Sequence, residues 1–269
     1  MLDEILAHKR IEVAERRARL PIRLLERQAE AAPSPRDFAG ALRAPGVSVI
    51  AEIKRKSPSG GELRPGASAA SLAAEYAANG ANALSVLTDA HYFGGSDQDL
   101  ADARERSGLP ALRKDFVVDP YQVLEARAIG ADAVLLIVRS LAERDLVSLL
   151  ALSRALGLAA LVETHNADEV RRALGAGAKI VGVNNRDLDR LVTDPTLAPR
   201  LRPLVPRDVV FVAESGIHQP AQITELLELR VDAVLVGEAL VKAPSPGKRL
   251  AELVAAGRPT AAVAAARES

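Results

Sequence analysis

Ala133-Val134-Leu135-Leu136-Ile137-Val138 is an unbroken apolar run of strand length. It is followed by Leu141–Leu156, whose apolar residues recur at helical spacing, and then by a second run, Ala159-Ala160-Leu161-Val162-Glu163. A strand, an amphipathic helix and another strand in that order make a βαβ unit with parallel strands. The pattern repeats outward in both directions. Upstream runs are Val47–Lys54, Ala83–Leu87 and Leu109–Lys114; downstream runs are Lys179–Asn184, Val209–Glu214 and Ala233–Val236. Further helical stretches are Ala69–Asn79, Asp168–Leu174 and Pro220–Leu229. Eight such units favour an α/β fold closed as a (β/α)8 TIM barrel, and no G-x-G-x-x-G follows any run to argue for a dinucleotide fold. An open doubly wound sheet is the second architecture.

Residues 1–46 precede the first run and form an N-terminal helical extension; 47–257 form the barrel and 258–269 an alanine-rich tail, in a single domain. Leu2, Ile5, Leu6, Val13 and Leu20 fall near one face, which reads as a packed extra helix, while Glu12, Arg16, Arg17 and Arg19 are left to face water. Contact of this helix with the site is the sharper alternative. Pro21 and Pro33-Ser34-Pro35 punctuate the extension.

Lys plus Arg (35) balance Asp plus Glu (35), so no global field favours nucleic acid or an anionic membrane, and neither is expected as a partner. The chain has no cysteine, which excludes disulfides, thiolate metal sites and a cysteine nucleophile. Its start is charged and amphipathic, with no apolar signal core and no run of membrane-spanning length, so the cytoplasm is the expected compartment and a monomer the expected state. Of the four histidines, His91, His165 and His218 follow runs 2, 5 and 7. They lack ligand spacing, and no metal and no cofactor is expected.

Barrel active sites lie where the strands end. Here the ends are polar: Glu52-Ile53-Lys54, Arg113-Lys114-Asp115-Phe116, Glu163, and Asn184-Asn185-Arg186. Side chains alternate along a strand, so Glu52 pairs with Lys54, Lys114 with Phe116 and Asn184 with Arg186 on one side. Lysines and carboxylates gathered in one mouth shift one another's pKa values, which separates acid from base. Glu214-Ser215-Gly216 and Val236-Gly237-Glu238 are glycine turns after runs 7 and 8, where barrels often hold phosphate. Ser57-Pro58-Ser59-Gly60-Gly61, after Lys54-Arg55-Lys56, forms a long loop that could close over an acidic ligand.

Glu52–Ser59, Leu112–Phe116, Val162-Glu163, Asn184–Leu188 and Ala213–Ile217, in this order and spacing, resemble the signature segments of the indole-3-glycerol-phosphate synthase family. Leu2–Ile5 with Lys9–Glu12 looks like that family's N-terminal helix. The resemblance implies ring closure of 1-(2-carboxyphenylamino)-1-deoxyribulose 5-phosphate with loss of carbon dioxide and water, in tryptophan biosynthesis. It implies that Lys114 is the general acid and Glu163 the base for dehydration. Lys54, paired with Glu52, would lie near the substrate carboxylate as a candidate second acid. Asn184 and Arg186 would hold the intermediate, while Phe93, Phe116, Leu135 and Leu235 would wall the aromatic ring. Ser57, Ser215, Gly216, Gly237 and Glu238 would form the phosphate end. Glu238 departs from the family, in which serine is common, and its carboxylate would repel phosphate. Two rivals stand beside this reading: another phosphosugar barrel enzyme, including an aldolase using Lys114 or Lys54 as a Schiff-base nucleophile, and a non-catalytic barrel that binds a phosphorylated ligand.

Overall fold

Alternation along each apolar run gives every strand one face toward the barrel interior and one toward the surrounding helices. The computed structural model describes residues 1–57, 61–62, 67–187 and 192–259. Three helices come first, α1 (Leu2–Arg19), α2 (Ile22–Ala31) and α3 (Phe38–Ala41). β1 (Ser48–Ile53) leads through a short hairpin, Lys56–Ser57 with Gly61–Glu62, to α4 (Ala69–Ala78). β2 (Ala83–Leu87) is followed by α5 (Ala90–Phe93) and α6 (Asp97–Ser107), and β3 (Ala111–Lys114) by α7 (Pro120–Ala128). Then come β4 (Ala133–Ile137) with α8 (Glu143–Ala155), β5 (Ala159–Thr164) with α9 (Ala167–Gly175), and β6 (Ile180–Asn184) with α10 (Leu197–Leu201). β7 (Val210–Glu214) with α11 (Pro220–Glu228), and β8 (Ala233–Val236) with α12 (Glu238–Val241) and α13 (Pro246–Ala256), complete the order.

The eight strands pair in parallel and in chain order, and β8 returns to β1 with Ser48 opposite Ala233. The sheet is therefore a closed barrel, not an open one. β3 begins one residue after Pro110, which has no N–H to give the ladder, so the strand is shorter than the apolar run from Leu109. Inside the barrel lie Ile50, Leu112, Leu135, Leu161, Val212 and Leu235, joined by Phe38 and Leu42 from α3 and its C-cap. Outside, Val49, Val86, Leu136, Val162 and Phe211 pack under the helices. The interior residues of β1, β3, β5 and β7 continue the same alternation into Glu52, Lys114, Glu163 and Glu214 at the strand ends.

The extension packs on α7, where Val13, Leu25 and Ala29 meet Tyr121 and Leu124. The Tyr121 hydroxyl donates to Leu20 O at 2.9 Å. Glu12 and Arg16 are not left to water, contrary to the helical reading: Arg16 pairs with Glu12 and reaches Glu125 of α7 at 3.2 Å. Arg17 is half-exposed and paired to Asp119 at 2.6 Å, while Arg19 is exposed. The deepest tie is Lys9. Its fully buried ammonium lies 2.8 Å from Asp89, 2.9 Å from Asp115 and 2.7 Å from Glu12. Burial favours loss of its proton, yet Asp115, Asp89 and Glu12 outweigh that and raise its pKa. Asp115 also accepts from Phe116 N at 2.8 Å, and Asp89 accepts from Tyr92 N at 2.7 Å. One helical lysine thus fixes two loops at the barrel rim.

Lys9→Met keeps the length of the side chain and removes the charge, leaving Asp89 and Asp115 buried together. We expect it to lower unfolding free energy in urea by about 3–5 kcal/mol, the cost of removing one partner from a buried charge cluster. A loss under about 1 kcal/mol would mean that the two carboxylates find other neighbours.

Candidate active site

The strand ends place lysine and carboxylate on neighbouring or facing strands, and the barrel's curvature turns them toward one another. Lys114 Nζ of β3 lies 3.0 Å from Glu214 Oε2 of β7 and 3.4 Å from Glu163 Oε2 of β5. On β1's end, Lys54 Nζ donates to Glu52 Oε1 at 2.9 Å. Asn184 hydrogen-bonds to Glu163 through its side chain and accepts from Arg186 N at 3.0 Å.

These groups line two adjoining hollows. The larger, of about 130 Å³, is bounded by Glu52, Lys54, Lys114, Glu163, Asn184 and Arg186, with Phe93, Phe116, Leu135 and Ser215. The Phe93 and Phe116 ring centroids are 6.2 Å apart, giving one apolar wall opposite the charged groups. The smaller, of about 50 Å³, shares Glu52, Lys54, Lys114, Arg186 and Ser215 and adds Glu214, Gly216, Leu235, Gly237 and Glu238. Every residue that the family resemblance assigns to the site therefore lines one of these hollows, with one exception. Ser57 belongs to the short hairpin, but its side chain, like the loop residues 58–60, lies outside the described residues.

Glu214 was missed as a member of the charge cluster, because the sequence reading took it as the first residue of a glycine turn. The signal was present: Val210, Val212 and Glu214 share one face of β7. Two glycines make room for the acids. A Cβ at Gly182 would collide with Glu214 Oε1, and one at Gly237 with Glu52 Oε1. The turn after β7 is sharp. Ser215 has φ of 64° and Gly216 of 77°, and the strained serine is pinned by Asn185 Nδ2 donating to its carbonyl at 3.0 Å. Arg113 and Asp115, also candidates at the end of β3, fall on other networks. Arg113 is fully buried on the outer side of the strand, donating to Asp97 at 3.1 Å and to Gln122 O at 3.0 Å.

At the phosphate end assigned by resemblance, Glu238 is not a bare anion. Arg186 donates to it at 2.8 Å and Lys242 at 2.6 Å. The Lys242 hydrogen bond, opposed by partial burial and aided by Arg186, holds the Glu238 carboxyl down at about 2.

A family model described as indole-3-glycerol phosphate synthase matches residues 2–253. The chain belongs to the indole-3-glycerol phosphate synthase family. An indole-3-glycerol phosphate synthase of Acidithiobacillus ferrooxidans is 49% identical over 257 residues, covering 94% of this chain and 98% of that protein. One of Roseiflexus castenholzii is 50% identical over 262 residues, covering 94% and 97%. Among solved structures, thiamine phosphate pyrophosphorylase from Pyrococcus furiosus superposes with TM-score 0.59 at 17% identity, covering 80% of this chain and 96% of that one. A 3-hexulose-6-phosphate synthase gives 0.58 at 16%, covering 78% and 99%. These two share the barrel. No helix among the described residues is long and apolar enough to cross a membrane.

The synthase-family cluster separates the affinities of its acids for protons. Burial pushes Glu163 up, but the Lys114 ammonium, then His165 and Asn184, hold it below the usual carboxylate range. Burial likewise raises Glu52, and Lys54 and Lys114 bring it below. For Glu214 burial wins. Lys114 opposes it, Glu163 adds to it, and the carboxyl is pushed up to about 7. Lys114 itself is raised, since Glu214, Glu163 and Glu52 outweigh its burial. Because the folded pKa of Glu214 exceeds its ordinary 4.5, the fold holds a proton that the unfolded chain has shed between those values. Stability contributed by this group therefore falls as pH rises through that window. We expect Glu214→Gln to gain on the wild type by on the order of 2–3 kcal/mol in urea unfolding between pH 5 and 8. A difference independent of pH would place the titration elsewhere.

Proposed function

We propose that this chain is an indole-3-glycerol-phosphate synthase acting as a carbon–carbon (carboxy) lyase on 1-(2-carboxyphenylamino)-1-deoxyribulose 5-phosphate. The observation that carries the reading is the Lys114 ammonium, held between Glu214 and Glu163 and facing a hollow walled by Phe93 and Phe116. As the ring carbon bearing the carboxylate attacks the ketone, negative charge grows on the ketone oxygen. Lys114 gives it a proton. Carbon dioxide then leaves with its bonding pair returned to the ring. In the second stage the hydroxyl departs as water while Glu163, an anion at neutral pH, takes a proton from the methylene carbon. Lys54, fixed by Glu52, suits the substrate carboxylate or the departing hydroxyl. Asn184 orients Glu163, and Arg186 with Ser215, Gly216 and Gly237 suits the phosphate. Holding both ends of the substrate brings ring and ketone together.

The neighbours of Lys114 weigh against the aldolase reading. A Schiff-base lysine needs a depressed pKa to be a nucleophile, and carboxylates on two sides do the opposite. Paired acid and base beside it weigh against a merely binding barrel.

Lys114→Ala should cut kcat by roughly 10² to 10⁴, the usual contribution of a placed proton donor, with a smaller change in KM. Glu163→Gln should slow dehydration and let a ring-closed intermediate accumulate in a single turnover. Indole fluorescence reports both on a low background, since the chain has no tryptophan and three tyrosines. Near-normal turnover by Lys114→Ala, or substrate mass added at Lys114 under borohydride, would overturn the assignment. Glu238→Ser should release Arg186 and lower the inhibition constant of inorganic phosphate; an unchanged constant would remove Glu238 from the phosphate end.

A further inference from the structure

The reaction proposed above does not balance in protons within its own atoms. Carbon dioxide leaves without a proton, the ketone oxygen leaves as water with two, and the methylene carbon surrenders one. Each turnover therefore draws one proton from solvent. Lys114 spends its proton inside a hollow that substrate fills, so the groups through which it can be reloaded are its neighbours Glu214 and Glu163 and whatever lies behind them.

Behind Glu163 lies His165. Both follow from β5, two residues apart, but Thr164 ends the strand and the imidazole turns to the outer side of the Glu163 carboxylate. Its Nε2 is 3.4 Å from Glu163 Oε1 and, though buried, makes no hydrogen bond. Its Nδ1 is 3.2 Å from Glu169 Oε2, which also accepts from His165 N at 2.8 Å. Glu169 is fixed in turn by Asn166, whose Nδ2 donates to Oε1 at 2.8 Å while its Oδ1 caps α9 at Glu169 N. The ring's side chain is 8% exposed, so it is a nearly buried imidazole between two carboxylates. Burial disfavours its charged form, but the Glu169 hydrogen bond, then the charges of Glu163 and Glu169, outweigh that and the opposing Arg139, and its pKa is raised.

On the far side of this ring is a second cavity of about 380 Å³, bounded by Arg139, His165, Asn166, Glu169, Asn185 and Asp194. It has room for on the order of ten waters. His165, together with Asn184, thus stands between the catalytic hollow, reached through Glu163, and this polar cavity.

We propose that His165 is the proton store of the reaction: as imidazolium it passes its Nε2 proton to Glu163 Oε1, the Glu163 carboxyl turns and gives that proton to Lys114 Nζ after Lys114 has protonated the ketone oxygen, and the ring, left neutral with its Nδ1 proton on Glu169, takes a new proton at Nε2 by turning to solvent in the second cavity. His165 does not touch substrate and acts through Glu163. The inference rests on the synthase reading, and its failure is separable from the failure of that reading.

His165→Gln keeps a polar side chain and abolishes the titration. It should lower kcat about tenfold, leave KM within about twofold, and raise the solvent isotope effect on kcat, because proton supply becomes limiting. Free imidazole in the buffer should restore much of the lost kcat. Glu169→Gln gives an independent measure, since loss of that anion should move the limb of the kcat–pH profile assigned to His165 down by about one unit. Wild-type kcat and isotope effect in His165→Gln would overturn the proposal, as would a loss that imidazole does not relieve. If His165→Gln does not fold, an unshifted pH limb in Glu169→Gln overturns it instead. A wild-type protein that yields no indole fluorescence from the substrate would strike down the synthase reading itself.

Discussion

A lysine ammonium can be removed from water only if anions accompany it, and the interior of this barrel is arranged around that requirement at Lys114. Its two carboxylates come from β5 and β7 and must reach across the barrel, so Glu214 lies over β6 where only Gly182 leaves space. Glu52 leans over the end of β8 and needs Gly237 in the same way. Two glycines at the rim are thus consequences of charge placement. So is the strained turn at Ser215, since β7 must end abruptly for its last acid to point inward and not along the chain.

Three consecutive residues, Arg113, Lys114 and Asp115, show how strand alternation sorts charge. Lys114 faces inward to Glu163 and Glu214, while Arg113 faces outward to Asp97 and Glu125, and Asp115 turns to Lys9 of the first helix. A cation of the cluster at the barrel mouth is thereby flanked by two members of a structural one, with the strand between them. The outer network ties α1, α6 and α7 to the base of the loops that carry Phe93 and Phe116. Movement of α1 would be felt first by the aromatic wall, and only through it by the lysine.

The eight strands were legible because apolar runs alternate with helical stretches at regular intervals, and closure followed from their number. Nearly all the mouth residues were legible for the same reason, since a polar residue ending an apolar strand has few uses other than the rim. What escaped the reading escaped for identifiable causes. Glu214 was absorbed into a glycine turn although its parity with Val212 marked it as inward. Lys9 stands four residues from both Ile5 and Val13, on the buried stripe, but a search for apolar periodicity passes over a charge. Arg186 with Glu238, and His165 with Glu163 and Glu169, depend on distances that only the folded chain sets.

Barrels at 16–17% identity superpose on this one with TM-scores near 0.6, so the architecture itself selects no chemistry. Selection lies in what surrounds a lysine at a strand end. With apolar or cationic neighbours, burial would drive the amine toward neutrality and make it a nucleophile for carbonyl carbon. With Glu214 and Glu163 within 3.4 Å the same burial strengthens the attraction, and the group stays an ammonium that can only donate.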